Sequence, residues 1–188
     1  MEFPVLFLRF LRLTTLAACM AGLVPCMAEE AKPEPPGFVS SLLDKAKEFI
    51  GTPYHYGGTT PKGFDCSGFV RFVFGAFGME LNRSSVAQAS QGESVALDQI
   101  QPGDLLFFKT RGQQNRISHV GIYLGGGQFI HAGSGGGPKT RCVKIGELDS
   151  TYYAKRLVSA RRLAFPAGEA PQLLEQLLPG SLKPEHNP

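Results

Sequence analysis

A chain of 188 residues, 43% hydrophobic and 19% charged, has the makeup of an ordinary globular protein with room for one domain. Its formal net charge of +3 is too slight a surplus to predict a nucleic-acid partner, and no internal repeat is visible. The aromatic content is carried mostly by 14 Phe with no Trp, while the 23 Gly and 14 Pro gather into runs that read as turns and linkers.

At the N-terminus, Arg9 and Arg12 precede an apolar run from Leu13 to Val24, then Pro25, Cys26 and Ala28. The run is shorter than the about 20 apolar residues a bilayer span needs, so residues 1–28 are expected to be a secretory signal peptide cleaved after Ala28. A rival reading is that Leu16, Ala17, Ala18 and Cys19 resemble a lipobox, which would put a lipid on Cys19 and tether the protein to a membrane. Cleavage after Ala28 removes Glu2, Arg9 and Arg12, which takes the formal charge from +3 to +2, and removes two of the four cysteines. Cys66 and Cys142 remain. An exported protein invites a disulfide, but both are expected to be free thiols, with Cys142 an ordinary residue on a strand.

Residues 29–37, charged and proline-rich, read as an extended linker, and folding is expected from residue 38. Phe38, Val39, Leu42, Leu43, Ala46, Phe49 and Ile50 recur at helical spacing up to Gly51. A loop dense in Gly, Pro and Thr follows, then Asp65 as the N-cap of a second helix over residues 66–77, with Phe69, Val70, Val73, Phe74 and Phe77 on its apolar face. A short helix is expected from Ser84 or Ser85 to Gln91. Beyond Gly103 the texture changes to short apolar runs at residues 104–108, 119–124, 128–132 and 141–145, parted by Gly-rich turns, with a last element over residues 155–163. Helices first and antiparallel strands afterwards predict an α+β domain over residues 38–165, its N-terminal helices packed on a sheet of four to six strands. Residues 166–188 read as a tail that touches the body weakly.

A thiol attacks an amide only as thiolate, so a catalytic cysteine needs a lowered pKa and a proton acceptor in reach. Cys66 is placed in the first turn of a helix, where backbone N–H groups favour the anion and can donate to an oxyanion. A lone cysteine in an apolar helix is ordinarily a packed core residue; its company is what changes that reading. His119 opens the run HVGIYLG and His131 nearly closes FIHA, so the hairpin between them can bring both imidazoles together. A nucleophile with a pair of histidines meets the need for a base and a group that orients it. No CxxC or HxxxH spacing suggests a zinc site.

The stretches GTPYHYGG, FDCSGFV, NRSS, PGDLLFF, SHVGIYLG and FIHA resemble, in order and spacing, the NlpC-type family of papain-like cysteine peptidases that cut peptidoglycan stem peptides. The resemblance covers residues 38–163. It implies a papain-like fold, an endopeptidase activity that needs no metal or cofactor, and peptidoglycan as the substrate. It also implies a nucleophile at Cys66, a base at His119 and an orienting residue at His131. Tyr56 matches a family tyrosine whose hydroxyl helps hold the oxyanion or the substrate carbonyl. Asp65 and Ser67 match residues that line the substrate cleft, and Arg83 and Ser84 follow the catalytic helix, where an Arg is placed to pair with a carboxylate of the acidic stem peptide. Asn82 stands where relatives commonly have Pro. Ser84 stands where relatives that trim small released muropeptides tend to have Asp, which leans toward intact cell-wall peptide as the substrate. His55 falls at a variable position and is given no role.

The exported chain is expected in the cell envelope, in the periplasm, as a monomer. The competing readings are a lipid acyltransferase-like hydrolase using the same three residues and an envelope-binding module with an idle site.

Overall fold

The computed structural model describes residues 37–110 and 115–165. The expected signal peptide, Cys19, residues 29–36 of the expected linker and the tail from residue 166 lie outside the described residues.

Helix α1 (Phe38–Lys47) buries Phe38, Leu42, Leu43 and Ala46, the stripe its spacing dictates. It ends earlier than residue 51: the Phe49 and Ile50 N–H groups reach back only three residues, to Ala46 and Lys47, and the tightened turn leaves Ile50 half exposed rather than in the core. The following loop holds two very short paired strands, β1 (Thr59–Thr60) and β2 (Gly63–Phe64), which the sequence reading missed. They deliver the chain to helix α2 (Cys66–Gly75), capped by Asp65, whose side chain accepts from the Gly68 N–H. Phe69, Val70, Val73 and Phe74 are fully buried along it, and Phe77, expected as its last residue, is buried in the turn beyond. Gly68 is a glycine because the chain passes so close that a Cβ there would run into the carbonyl oxygen of Gly58. Helix α3 is a single turn (Ser85–Gln88), shorter than expected.

The six-stranded sheet runs in the order β3 (Glu93–Val95), β8 (Leu157–Arg162), β4 (Leu105–Phe108), β5 (His119–Gly125), β6 (Gln128–Ala132), β7 (Val143–Glu147), antiparallel throughout. The architecture is therefore α+β with the helices on an antiparallel sheet. Asp104, expected in a strand, instead stands just before β4, where Arg162 of β8 grips its carboxylate with Nε and Nη2, each at 2.8 Å. Gly125, Gly126 and Gly127 all take positive φ, the tight hairpin between β5 and β6. A turn of helix, α4 (Thr151–Ala154), and a 3₁₀ turn (Pro138–Thr140) were not foreseen, and β7 starts two residues later than expected.

The pleat divides the sheet into two faces. Leu105, Phe107, Val120, Ile122, Ile130, Ala132 and Val143 form one core with α1 and α2. Leu106, Phe108, Phe129 and Ala160 form a second core on the far face, where Tyr153 and Leu157 pack. By the same alternation His119, paired with Phe108, and His131, two residues after Phe129, belong to the far face.

Candidate active site

Strand β5 is where the two layers meet. Cys66 is brought up by the α2 N-terminus, where its sulfur feels the backbone N–H groups of Val120, the residue next to His119, of Ser67 and of Cys66 itself. On the other face, His119 Nε2 lies 2.8 Å from His131 Nδ1, the two rings perpendicular with centroids 4.8 Å apart. The hairpin thus brings the histidines together, both buried, and the helix start brings the sulfur to the first peptides of the same strand. Cys66 and Cys142 are both free thiols; Cys142 is half-buried in a lone bridge to Pro53 just before β7.

The electrostatics correct one expectation. Burial pushes the Cys66 thiol above its ordinary value, and the Asp65 carboxylate pushes it the same way; the three N–H groups pull it down without prevailing. Burial also holds the His119 imidazole down at about 4, with the Lys144 ammonium adding to the effect. His131 is held well below its usual value by burial, then by His119 and Lys144. At neutral pH the site therefore rests as thiol and neutral imidazoles, because desolvation outweighs the helix N-terminus.

This burial has a cost in acid. The His119 pKa in the folded chain lies below its unfolded value of about 6.5, so the unfolded chain binds the extra proton first. Its contribution to stability is intact above pH 6.5 and is lost as pH falls through about 4. At about 1.4 kcal/mol per pKa unit, acidification from pH 7 to below 4 should remove about 3 kcal/mol through His119, with His131 adding in the same direction. Urea denaturation across this range checks it, and a midpoint that stays flat would contradict it.

Asp65 anchors a second cluster beside the sulfur. Its Oδ1 accepts from the Gly68 N–H at 2.7 Å, Ser67 Oγ at 3.2 Å and Arg83 Nη1 at 3.1 Å; its Oδ2 accepts from Arg83 Nη2 at 2.6 Å and the Gly57 N–H at 3.1 Å. Arg83 Nη1 also donates to Ser67 Oγ at 3.1 Å. Three of the residues expected along a substrate cleft are thus bonded to one another, although the Arg83 side chain remains 40% exposed. Ser84 caps α3 through the Ala87 N–H. Tyr56, in the turn just before Gly57, is 76% exposed.

A participant that the sequence reading did not single out is Tyr153. Its hydroxyl lies 3.3 Å from His131 Nε2, and its ring packs on Phe108, Phe129 and His131. The only hint in the sequence is an aromatic pair, Tyr152 and Tyr153, in a polar segment. Among the described residues, no three His, Cys, Asp or Glu side chains gather as a metal site would require.

Residues 51–162, which hold every site residue named above, match the model of the NlpC/P60 family. The chain belongs to the NlpC/P60 family. It is 43% identical over 126 residues to the probable endopeptidase NlpC of Escherichia coli K12, covering 66% of this chain and 78% of that protein. It is 41% identical over 125 residues to the murein DD-endopeptidase MepS/murein LD-carboxypeptidase of the same organism, covering 66% of this chain and 62% of that one. A crystal structure of an NLP/P60 family protein from Staphylococcus aureus superposes with a TM-score of 0.64 at 31% identity, over 73% of this chain and 45% of that chain. The matched segment spans between 28% and 78% of the length of such curated relatives, and 41% of a gamma-D-glutamyl-L-lysine dipeptidyl-peptidase of Bacillus subtilis.

Proposed function

We propose that this NlpC/P60 protein is a cysteine endopeptidase of the cell envelope that hydrolyses peptide bonds involving D-amino acids in peptidoglycan, within stem peptides or across crosslinks. The observation that carries the reading is the 2.8 Å contact between His119 and His131 on the strand whose Val120 N–H meets the Cys66 sulfur. His119 spends Nε2 on His131, so in this mechanism Nδ1 is the nitrogen that takes the thiol proton. As the Cys66 sulfur attacks the carbonyl carbon, its proton passes to His119, so the thiolate forms during attack rather than standing ready. The N–H groups at the α2 N-terminus and the Tyr56 hydroxyl receive the oxyanion. His119 then protonates the leaving amine, and the same nitrogen activates the water that opens the thioester. No step uses a metal or cofactor.

Asp65, Ser67, Arg83 and Ser84 form the wall of the cleft on the helix side in this reading. Arg83, fixed by Asp65, offers its exposed edge to a substrate carboxylate, and Ser84 sits beside it. The protein acts as a monomer in the periplasm, reached by the N-terminal 28 residues or held at the membrane through a lipid on Cys19.

Digestion of purified sacculi by the full chain, read by mass analysis of the soluble products, tests the proposal. Shortened stems would point to a cut between D-Glu and diaminopimelate, and loss of crosslinked dimers to a cut at the D-Ala bond; sacculi left unchanged would overturn the hydrolase reading.

A further inference from the structure

We propose that Tyr153 is a positioning residue that fixes the proton of His131 on Nε2 and thereby keeps Nδ1 of His119 free to act as a base. This rests on the roles proposed above for Cys66 and His119.

The fully buried His131 ring has a partner at each nitrogen: His119 Nε2 at Nδ1, 2.8 Å away, and Tyr153 Oη at Nε2, 3.3 Å away. A neutral imidazole carries one proton, so the chain of contacts can run in only two directions. If His131 is protonated at Nδ1, it donates to His119, whose own proton is then driven to Nδ1, where it blocks removal of the thiol proton. If His131 is protonated at Nε2, its Nδ1 accepts from His119, and His119 Nδ1 is open. Only the second direction works, and it needs an acceptor buried beside His131 Nε2. The Tyr153 hydroxyl oxygen, 3.3 Å away, is placed to be that acceptor.

The surroundings keep every member of this relay uncharged. Burial and the neighbouring Tyr152 raise the Tyr153 hydroxyl to about 12, so it stays a neutral phenol. The charged or titratable groups facing His131 are His119 from β5, Lys144 from β7 and Tyr153 from α4; Phe108 and Phe129 complete the enclosure. Lys144, which pairs with His131 across the β6–β7 ladder, brings its side chain to Gly133, beside His131 Cε1. A positive charge on His131 is thereby disfavoured, and the relay polarises His119 without carrying its proton away. Tyr153 is held for this by its backbone as well as its ring: its N–H donates to Ser150 Oγ, which donates in turn to the Glu147 carbonyl at 2.7 Å.

Side-chain ¹⁵N NMR of the full chain, with steady-state kinetics on sacculi across pH, tests the proposal in wild type and Tyr153→Phe. Phe keeps the ring packing and removes only the hydroxyl. Wild type should show His131 protonated at Nε2, and the variant a mixture of tautomers. Loss of one hydrogen bond of ordinary strength should lower kcat up to about tenfold at unchanged KM. The acid limb of kcat/KM should move to lower pH, because imidazolium on His119 loses support. A wild-type His131 protonated at Nδ1, or a variant with the same tautomer and pH profile as wild type, would overturn it. If Tyr153→Phe does not fold, the wild-type spectrum still decides. Full activity in Cys66→Ala would instead remove Cys66 from the mechanism and with it the reading on which this proposal rests, leaving the tautomer measurement to stand by itself.

Discussion

Cys66→Ala is expected to abolish product release from sacculi, with turnover down by about 10⁴-fold or more, the scale seen when a covalent nucleophile is deleted. Among the described residues the other free thiol is Cys142, which sits in a backbone bridge to Pro53 just before β7 rather than at a helix start. The fold should survive, since Ala is a good helix former and the change removes a single sulfur from the first turn of α2. Near-wild-type melting together with lost activity is the expected signature. A second consequence concerns reactivity in the native protein: with the thiol raised by burial, alkylation by iodoacetamide should be slow at pH 7 and accelerate only well above it. Rapid labelling at neutral pH would mean that the site rests as an ion pair.

Asp65→Ala should cost about 4 kcal/mol, combining a lost N-cap of about 1 to 2 kcal/mol with the loss of the carboxylate from its pair with Arg83. The Arg83 end is partly exposed, which places the pair toward the low end of the range for buried pairs. Asn should be no rescue. Five hydrogens point at the two oxygens of Asp65, from Gly57, Ser67, Gly68 and twice from Arg83, and an amide would turn a donor of its own toward some of them. Urea denaturation of Asp65→Ala and Asp65→Asn at pH 7 checks both statements. In whatever fraction remains folded, the Cys66 thiol should titrate lower than in wild type, because a negative charge beside it has gone.

The parts of this molecule that were legible in the sequence are those written locally. The α2 stripe from Phe69 to Phe74, the Asp65 cap and the HVGIYLG and FIHA strands follow from spacing alone, as does the tight turn at Gly125, Gly126 and Gly127. What escaped depends on distant partners. Strand β3 is largely polar and exposed, and it is a strand only because Arg161, Arg162 and Ala160 of β8 lie beside it. The paired Thr59 and Phe64 are too brief to show a period. Ile50 kept the helical spacing but fell beyond the point where the hydrogen bonding tightened. Within the site, the histidine pair was readable from a hairpin, whereas Tyr153 reaches His131 only because the chain turns back between β7 and β8. The sign of the thiol's shift was not readable either, since a helix start is visible in a sequence and the depth of its burial is not.

The division of the sheet into two faces has a mechanical corollary. The sulfur is carried by the helical layer and the imidazoles by the opposite face of the sheet, with the opening residues of β5 between them. In the proposed mechanism, competence then depends on the seating of α2 against the strands, so a slip of a fraction of an ångström between layers would disarm the enzyme while every hydrogen bond of the sheet stayed intact.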